Sequence, residues 1–157
     1  AYPRSPLVSD AILRLAQYFY RTKEFEVAGK IFGNFQTRNP EHPLSAKALF
    51  LSAQSYMKGA EERKTVLEGR YDTKAQEWLA EAIAKFERLL GLYDDKDLRA
   101  EAMYWLGDCY LKVQDPRNAY IAFKRLTWDY PESKWAKFAR GQLVQNDQAF
   151  RKFATEN

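Results

Sequence analysis

Cysteine is nearly absent. Cys109 is the only one in 157 residues, so no intramolecular disulfide can staple the fold. Histidine is as scarce, with His42 alone in the turn-like run Pro40-Glu41-His42-Pro43. Zinc sites need clustered cysteine and histidine ligands, and a nucleophilic dyad needs thiol and imidazole within hydrogen-bond reach. Cys109 falls in the middle of a predicted helix and reads as a small core residue. Only seven glycines and six prolines punctuate the chain, which predicts long uninterrupted helices and leaves no glycine-rich loop to cradle a phosphate. No apolar run approaches the roughly 20 residues needed to span a bilayer. Carboxylate pairs such as Asp94-Asp95 fall at predicted helix ends, where turn and capping roles account for them. The expectation is therefore a non-enzyme with no cofactor, no metal, no small-molecule substrate and no transmembrane segment. The start, Ala1-Tyr2-Pro3-Arg4, has neither an initiator methionine nor a signal-peptide core, which predicts a chain cut from something longer.

Aromatic residues make up 15% of the chain and apolar residues 46%, enough for a folded core. The net charge of +4 comes from 25 basic and 21 acidic side chains mixed along the sequence, the pattern of a solvated helical surface. The basic excess gathers late, at Lys134, Lys137, Arg140, Arg151 and Lys152. A nucleic-acid footprint normally shows a stronger basic stripe, and no paired polar selectors recur as in RNA-reading repeats. A helical-repeat nucleic-acid binder using this basic C-terminal helix is thus the alternative reading, not the leading one.

Four markers recur. A small residue (Ala16, Ala53, Gly107) precedes an aromatic by three positions (Phe19, Tyr56, Tyr110). An alanine (Ala28, Ala82, Ala119) precedes a phenylalanine by four (Phe32, Phe86, Phe123). The first and third copies close on Pro40 and Pro131; the second has Asp94 there. Pro3 to Pro40 and Asp94 to Pro131 are each 37 residues, and Pro40 to Asp94 is 54, or 37 plus 17. Tyr2-Pro3-Arg4-Ser5 also matches Tyr130-Pro131-Glu132-Ser133. Helix signals agree: Asp115-Pro116 is an N-cap followed by proline at the first helical position, and Ser9, Ser45, Asp97 and Ser133 can cap the first helices. Ile12, Leu15, Ala16 and Phe19 share a face at helical spacing, as do Met103, Leu106, Gly107 and Tyr110.

Over nearly its whole length this pattern resembles the tetratricopeptide repeat, although the third small position holds Phe35, Leu89 and Leu126, and the period is 37 rather than the usual 34 or so. The longer Tyr-Pro-x-Ser junction is similar to bacterial envelope members of the BamD and CpoB groups, which implies a periplasmic or outer-membrane-associated setting. The resemblance implies an all-α solenoid: the end of an upstream repeat (1–8), repeats at 9–43, 44–96 and 97–132, and a capping helix at 133–152, seven helices in one domain. It further implies a protein-interaction scaffold that binds a peptide or partner protein in a groove lined by the first helices. The groove positions become Leu13, Arg14, Gln17, Tyr20 and Arg21; Phe50, Leu51, Gln54, Met57 and Lys58; and Tyr104, Trp105, Asp108 and Lys112. Aromatic and methionine anchors beside arginines and amides suit a laid-in peptide or helix. The carboxylate clamp of chaperone-tail binders is not matched, because its places hold Leu13, Gln17, Gln54, Glu101 and Trp105.

The 17 extra residues fall at about 59–76, between the helices of the second repeat. Glu61, Glu62, Arg63, Lys64, Glu68, Arg70 and Lys74 make them highly charged, with Val66, Leu67 and Tyr71 the few apolar members. Gly69 reads as a helix end and Thr73-Lys74-Ala75-Gln76 as a capping box, giving helices of about 45–68 and 74–92 that lengthen the hairpin by roughly 12 Å. At the N-terminal end, 9–20 is expected to leave an apolar flank containing Phe19 and Tyr20 open to weak self-association. At the other end, Gln142, Gln145, Asn146 and Gln148 suggest a polar cap.

Overall fold

The structure, a computed structural model, describes residues 5–64 and 69–155. Among these are eight α-helices and no strand, apart from an isolated antiparallel bridge between Lys64 and Tyr71. The helices are α1 (Pro6–Arg21), α2 (Phe25–Arg38), α3 (Ser45–Glu62), α4 (Thr73–Leu92), α5 (Lys96–Lys112), α6 (Pro116–Asp129), α7 (Lys134–Gln145) and α8 (Asp147–Ala154). The chain divides into two compact units, Ala1–Leu89 and Leu90–Asn157, with the boundary inside α4.

In the first unit α1 packs on α2 and α2 on α3. Ala16, Ala28, Phe32, Phe35 and Ala48 form its core, flanked by half-buried Ile12, Leu13, Phe19, Tyr20, Ile31 and Leu51. The Ser52 hydroxyl donates to the Gly29 carbonyl at 2.6 Å, tying α3 to α2 where no side chain intervenes. Phe50 on α3 meets Phe86 on α4 edge-on, and the α3 backbone at Gly59 passes so close to Trp78 that a Cβ there would lie 3.0 Å from the indole. Asn39 ends α2 by donating from Nδ2 to the Phe35 carbonyl, and the Ser45 hydroxyl donates to the Asn39 carbonyl, so the start of the next helix is bonded to the end of the last.

In the second unit α5 packs on α6, α6 on α7, and α8 reaches both α6 and α7. Ala100, Met103, Ala119, Phe123, Leu126, Ala136, Ala139 and Phe150 are its core. Arg99 donates to the Tyr130 hydroxyl at 2.8 Å and to the Leu90 and Tyr93 carbonyls, binding the junction after α6 to the last turn of α4. The two-helix turns of repeats one and three have the same geometry. Lys23 and Gln114 take positive φ (64° and 61°), and the amides of Glu24 and Asp115 donate to Phe19 and Tyr110, each at 2.8 Å.

The paired all-helical architecture expected from the repeat is present, but several boundaries need correction. The C-terminal stretch forms two helices instead of one. Asn146 breaks it, its Nδ2 donating to the Gln142 carbonyl and Oε1. The break turns Phe150 and Phe153 back onto Tyr120, while Gln145 and Gln148, two of the expected cap residues, are exposed. Ser5, not Ser9, caps α1, because Pro6 is pre-set for the first helical position; Ser9 is buried within the helix. Asp95, not Asp97, caps α5, and the first α4 turn is capped by Asp72, not by Thr73. Asp115 and Ser133 cap as expected. The exposed large apolar residues of α1 are Leu7, Val8, Leu15 and Tyr18, whereas Phe19 and Tyr20 pack against the core.

The insertion lengthens the second helix pair mostly on one side. α4 has 20 residues against 14 in α2 and α6, whereas α3 has 18 against 16 in α1 and 17 in α5. α3 stops at Glu62 and Gly69 lies in the connection with φ +61°, not at a helix end. Val66, Leu67 and Glu68, like the Tyr2-Pro3-Arg4 part of the N-terminal junction, lie outside the described residues. Arg63 and Asp72 close the base of the connection with an ion pair at 2.7 Å, and the Tyr71 hydroxyl donates to Glu61. Hydrogen bonding from Arg63, and then from the Ala75 amide, holds the Asp72 carboxyl below its ordinary value.

Two outcomes are expected. A Cβ on Gly107 would sit 2.5 Å from the buried Phe123 ring, so Gly107→Ala should lower stability by about 1–3 kcal/mol in denaturant melts. A variant as stable as the parent would show that α5 and α6 do not cross closely. Because the Asp72 pKa is depressed on folding, its contribution is complete above the unfolded value of about 3.9 and is lost as pH falls through the lower folded one. Asp72→Asn keeps a capping side chain and removes the charge. It should lower the neutral-pH melting temperature slightly, in a salt-sensitive way, and weaken the dependence on pH below 4. Superimposable acid limbs for parent and variant would exclude the pair as a stabilising contact.

Candidate functional site

The expected groove positions differ sharply in how the fold presents them. On α1, Arg14, Gln17 and Arg21 are exposed, and Arg14 forms an exposed pair with Asp10 at 2.8 Å. Leu13 and Tyr20 are half-buried against the first core. The Tyr20 ring meets Phe25 edge-on at 5.2 Å, and burial raises the phenol's pKa, so it stays a neutral donor. On α3, Gln54 and Leu51 are half-buried and Lys58 is exposed.

Phe50 and Met57 are corrected to core residues: they are only 2% and 4% exposed. The reason is that eleven of the eighteen α3 residues are buried, so this helix has neighbours over most of its circumference. A position that faces outward on α1 is covered on α3. Phe50 packs on Phe86, with the Lys47 ammonium 5.1 Å from its ring.

The second unit holds the most developed surface. Tyr104 and Trp105 of α5 meet Trp135 and Phe138 of α7 in one aromatic cluster. Ring centroids are 5.4 Å apart for Tyr104–Trp135, 5.9 Å for Trp105–Trp135, 6.0 Å for Tyr104–Phe138 and 5.6 Å for Trp135–Phe138. Tyr104, Trp105 and Trp135 are half-buried and Phe138 is exposed. The Trp105 Nε1–H is buried with no acceptor among the described residues. Gln142 reaches the Tyr104 hydroxyl at 3.4 Å. One turn along α5, Asp108 and Lys112 pair at 2.9 Å, both largely withdrawn from solvent. The rings touch one another, so the cluster offers a continuous apolar face and not a cage around a cation.

Trp135 and Phe138 were missed in the sequence because the markers of a first helix are lost after Ser133. Their signal was available: two large aromatics three apart, alternating with Ala136 and Ala139 on the same amphipathic helix. The basic residues beside them are partly committed. Lys134 lies 5.1 Å from the Trp135 ring centre, Arg151 pairs with Asp147 at 2.7 Å, and Lys152 lies over Phe153.

Cys109 is fully buried, and burial pushes its thiol up to about 12, so it carries no thiolate at neutral pH. His42 accepts from the Leu44 amide through Nδ1 and packs edge-on against Phe35, a turn-stabilising role. Among the described residues no cluster of three or more His, Cys, Asp or Glu has metal-binding geometry, and no helix is long and apolar enough to cross a membrane.

Residues 101–133 match the sequence profile of the tetratricopeptide repeat family. The match begins in the second turn of α5, covers α6 and ends on the Ser133 cap of α7. This helix pair is thus similar to a tetratricopeptide repeat, and the first pair shares its turn geometry and its small-residue positions. No curated protein and no solved structure matches the chain.

Proposed function

We propose that this chain is a protein-interaction module that holds a peptide or partner segment against the exposed faces of its first helices. Tetratricopeptide repeats generally mediate protein–protein contacts, and the match of residues 101–133 to that family supports the reading. The observation that carries the reading is the Tyr104–Trp105–Trp135–Phe138 surface, an apolar aromatic face beside a half-buried Asp108–Lys112 pair. Clustered aromatics next to a partly desolvated ion pair are what an interface anchor requires. Arg14, Gln17, Tyr20 and Arg21 in the first unit, with Gln54 and Lys58, would supply polar contacts to the same kind of ligand. The likeness of the Tyr130–Ser133 junction to bacterial envelope arrays favours a periplasmic or outer-membrane-associated partner.

Arg14 and Arg21 are solvated, so the pair Arg14→Glu with Arg21→Glu should leave the melting temperature nearly unchanged, whereas Phe138→Glu gives up ring contacts to Tyr104 and Trp135 and should lower it modestly with the chain still folded. Affinity capture from the source organism, quantified by mass spectrometry for parent and variants side by side, should show specific partners falling by about tenfold with Phe138→Glu. Equal recovery of every captured protein by parent and Phe138→Glu would refute the aromatic surface. Tight, strongly salt-dependent binding of random oligonucleotides would favour the nucleic-acid alternative instead.

A further inference from the structure

The first unit contains a cleft of about 280 Å³ between α2, α3 and α4 that the groove positions do not touch. Its floor exists because of two glycines one turn apart. A Cβ on Gly29 would strike the Tyr56 ring at 2.7 Å, and one on Gly33 would lie 3.0 Å from the Ser52 hydroxyl and 3.2 Å from Lys85 Cε. Glycine inside a helix lowers its stability, so both positions trade helix propensity for close approach. The gap left over Gly33 is lined by Lys30, Asn34 and Thr37 on the α2 side and by Lys85 and Arg88 on the α4 side, with Tyr56 and Leu49 below.

The chemistry of this lining is one-sided. Three cations face the cleft and no aspartate or glutamate lines it. Glu26 and Glu81 stand one turn back on the same helices, pairing Lys30 at 3.1 Å and Lys85 at 2.9 Å, which fixes both ammonium groups beside the opening. Lys85 is further held 5.2 Å from the Tyr56 ring centre and is mostly buried. Burial first, and then Glu81 and Glu26, push the Tyr56 phenol up to about 12, so its O–H remains a donor at neutral pH. Arg88 adds a guanidinium on an exposed turn of α4, the group best suited to a planar oxyanion. The volume lies at the small end for ligand pockets and fits a side chain better than a whole metabolite.

We propose that this cleft seats the carboxylate of an acidic side chain from a bound peptide, with Arg88 and Lys85 as its charged donors. None of its lining residues is a groove position, so this surface and the aromatic one stand or fall separately.

The test is a titration of the ¹⁵N-labelled full chain followed by nuclear magnetic resonance. A hexaglutamate peptide should give saturable shifts at the Gly29 and Gly33 amides and at Arg88 Nε. Arg88→Glu, on the helix surface, should weaken this by about fivefold or more with an otherwise unchanged spectrum. Gly33→Val, which fills the cleft, should abolish it; if that variant does not fold, Arg88→Glu alone decides. Equal shifts from hexalysine would overturn the proposal, as would no saturation by about 5 mM peptide or an unaltered titration in Arg88→Glu. Inorganic phosphate matching hexaglutamate at equal concentration would likewise overturn it, since the cleft would then be a general small-anion site and not a peptide one.

Discussion

Close approach of paired helices over small residues is the constraint on which the rest of this structure rests. Ala16 and Ala28, Ala53 and Ala82, and Gly107 and Ala119 are all buried, and at Gly107 even one methyl group would collide with Phe123. With no side chain holding the backbones apart, Phe32, Phe86 and Phe123, four residues after each alanine, lie almost wholly out of solvent. Each phenylalanine removes a large apolar area from water, and each close crossing maximises dispersion contacts, so the two effects reinforce one another. A larger residue at the crossing would lose both.

The crossing also dictates the turns. Helices that approach so closely leave room for only a short connection, and repeats one and three solve it identically with a left-handed Lys23 or Gln114 and a 2.8 Å amide bond back to an aromatic residue. The second repeat has the longer connection. Its ends are gathered by the Arg63–Asp72 pair and the Tyr71–Glu61 bond, both at the surface, where ion pairs contribute little to stability. Among the described residues, Trp78 also lies against the Gly59 backbone of α3.

Once the crossings are satisfied, the remaining aromatic residues are free to do something else. Tyr104 and Trp135 pack partly on the second core, and with Trp105 and Phe138 they form a continuous face between α5 and α7. Leaving such a face partly in water is unfavourable by the same area argument that stabilises the core, which is why clustered surface aromatics point to contact with another molecule. The cleft over Gly33 follows the opposite chemistry, with cations held by neighbouring glutamates instead of apolar rings.

The helix pairing, the crossing residues and the Asp115-Pro116 and Ser133 starts were legible in the sequence, because each depends on residues within one or two turns of itself: a missing side chain, a capping oxygen, a fixed proline φ. The lack of clustered histidine or cysteine was equally local. What the tertiary structure alone decided is where each helix face looks. Phe50 and Met57 share the spacing of groove residues and are nonetheless buried, because α3 has neighbours on most sides while α1 does not. The break at Asn146 is of the same kind: the intrinsic pattern continues a helix, but Phe150 and Phe153 gain more by folding back onto Tyr120 and Phe123 than an unbroken helix would. Trp135 and Phe138 became a surface only when α7 was set beside Tyr104. Burial is a property of the assembled neighbours, and a periodic sequence states which face is apolar without stating what, if anything, will cover it.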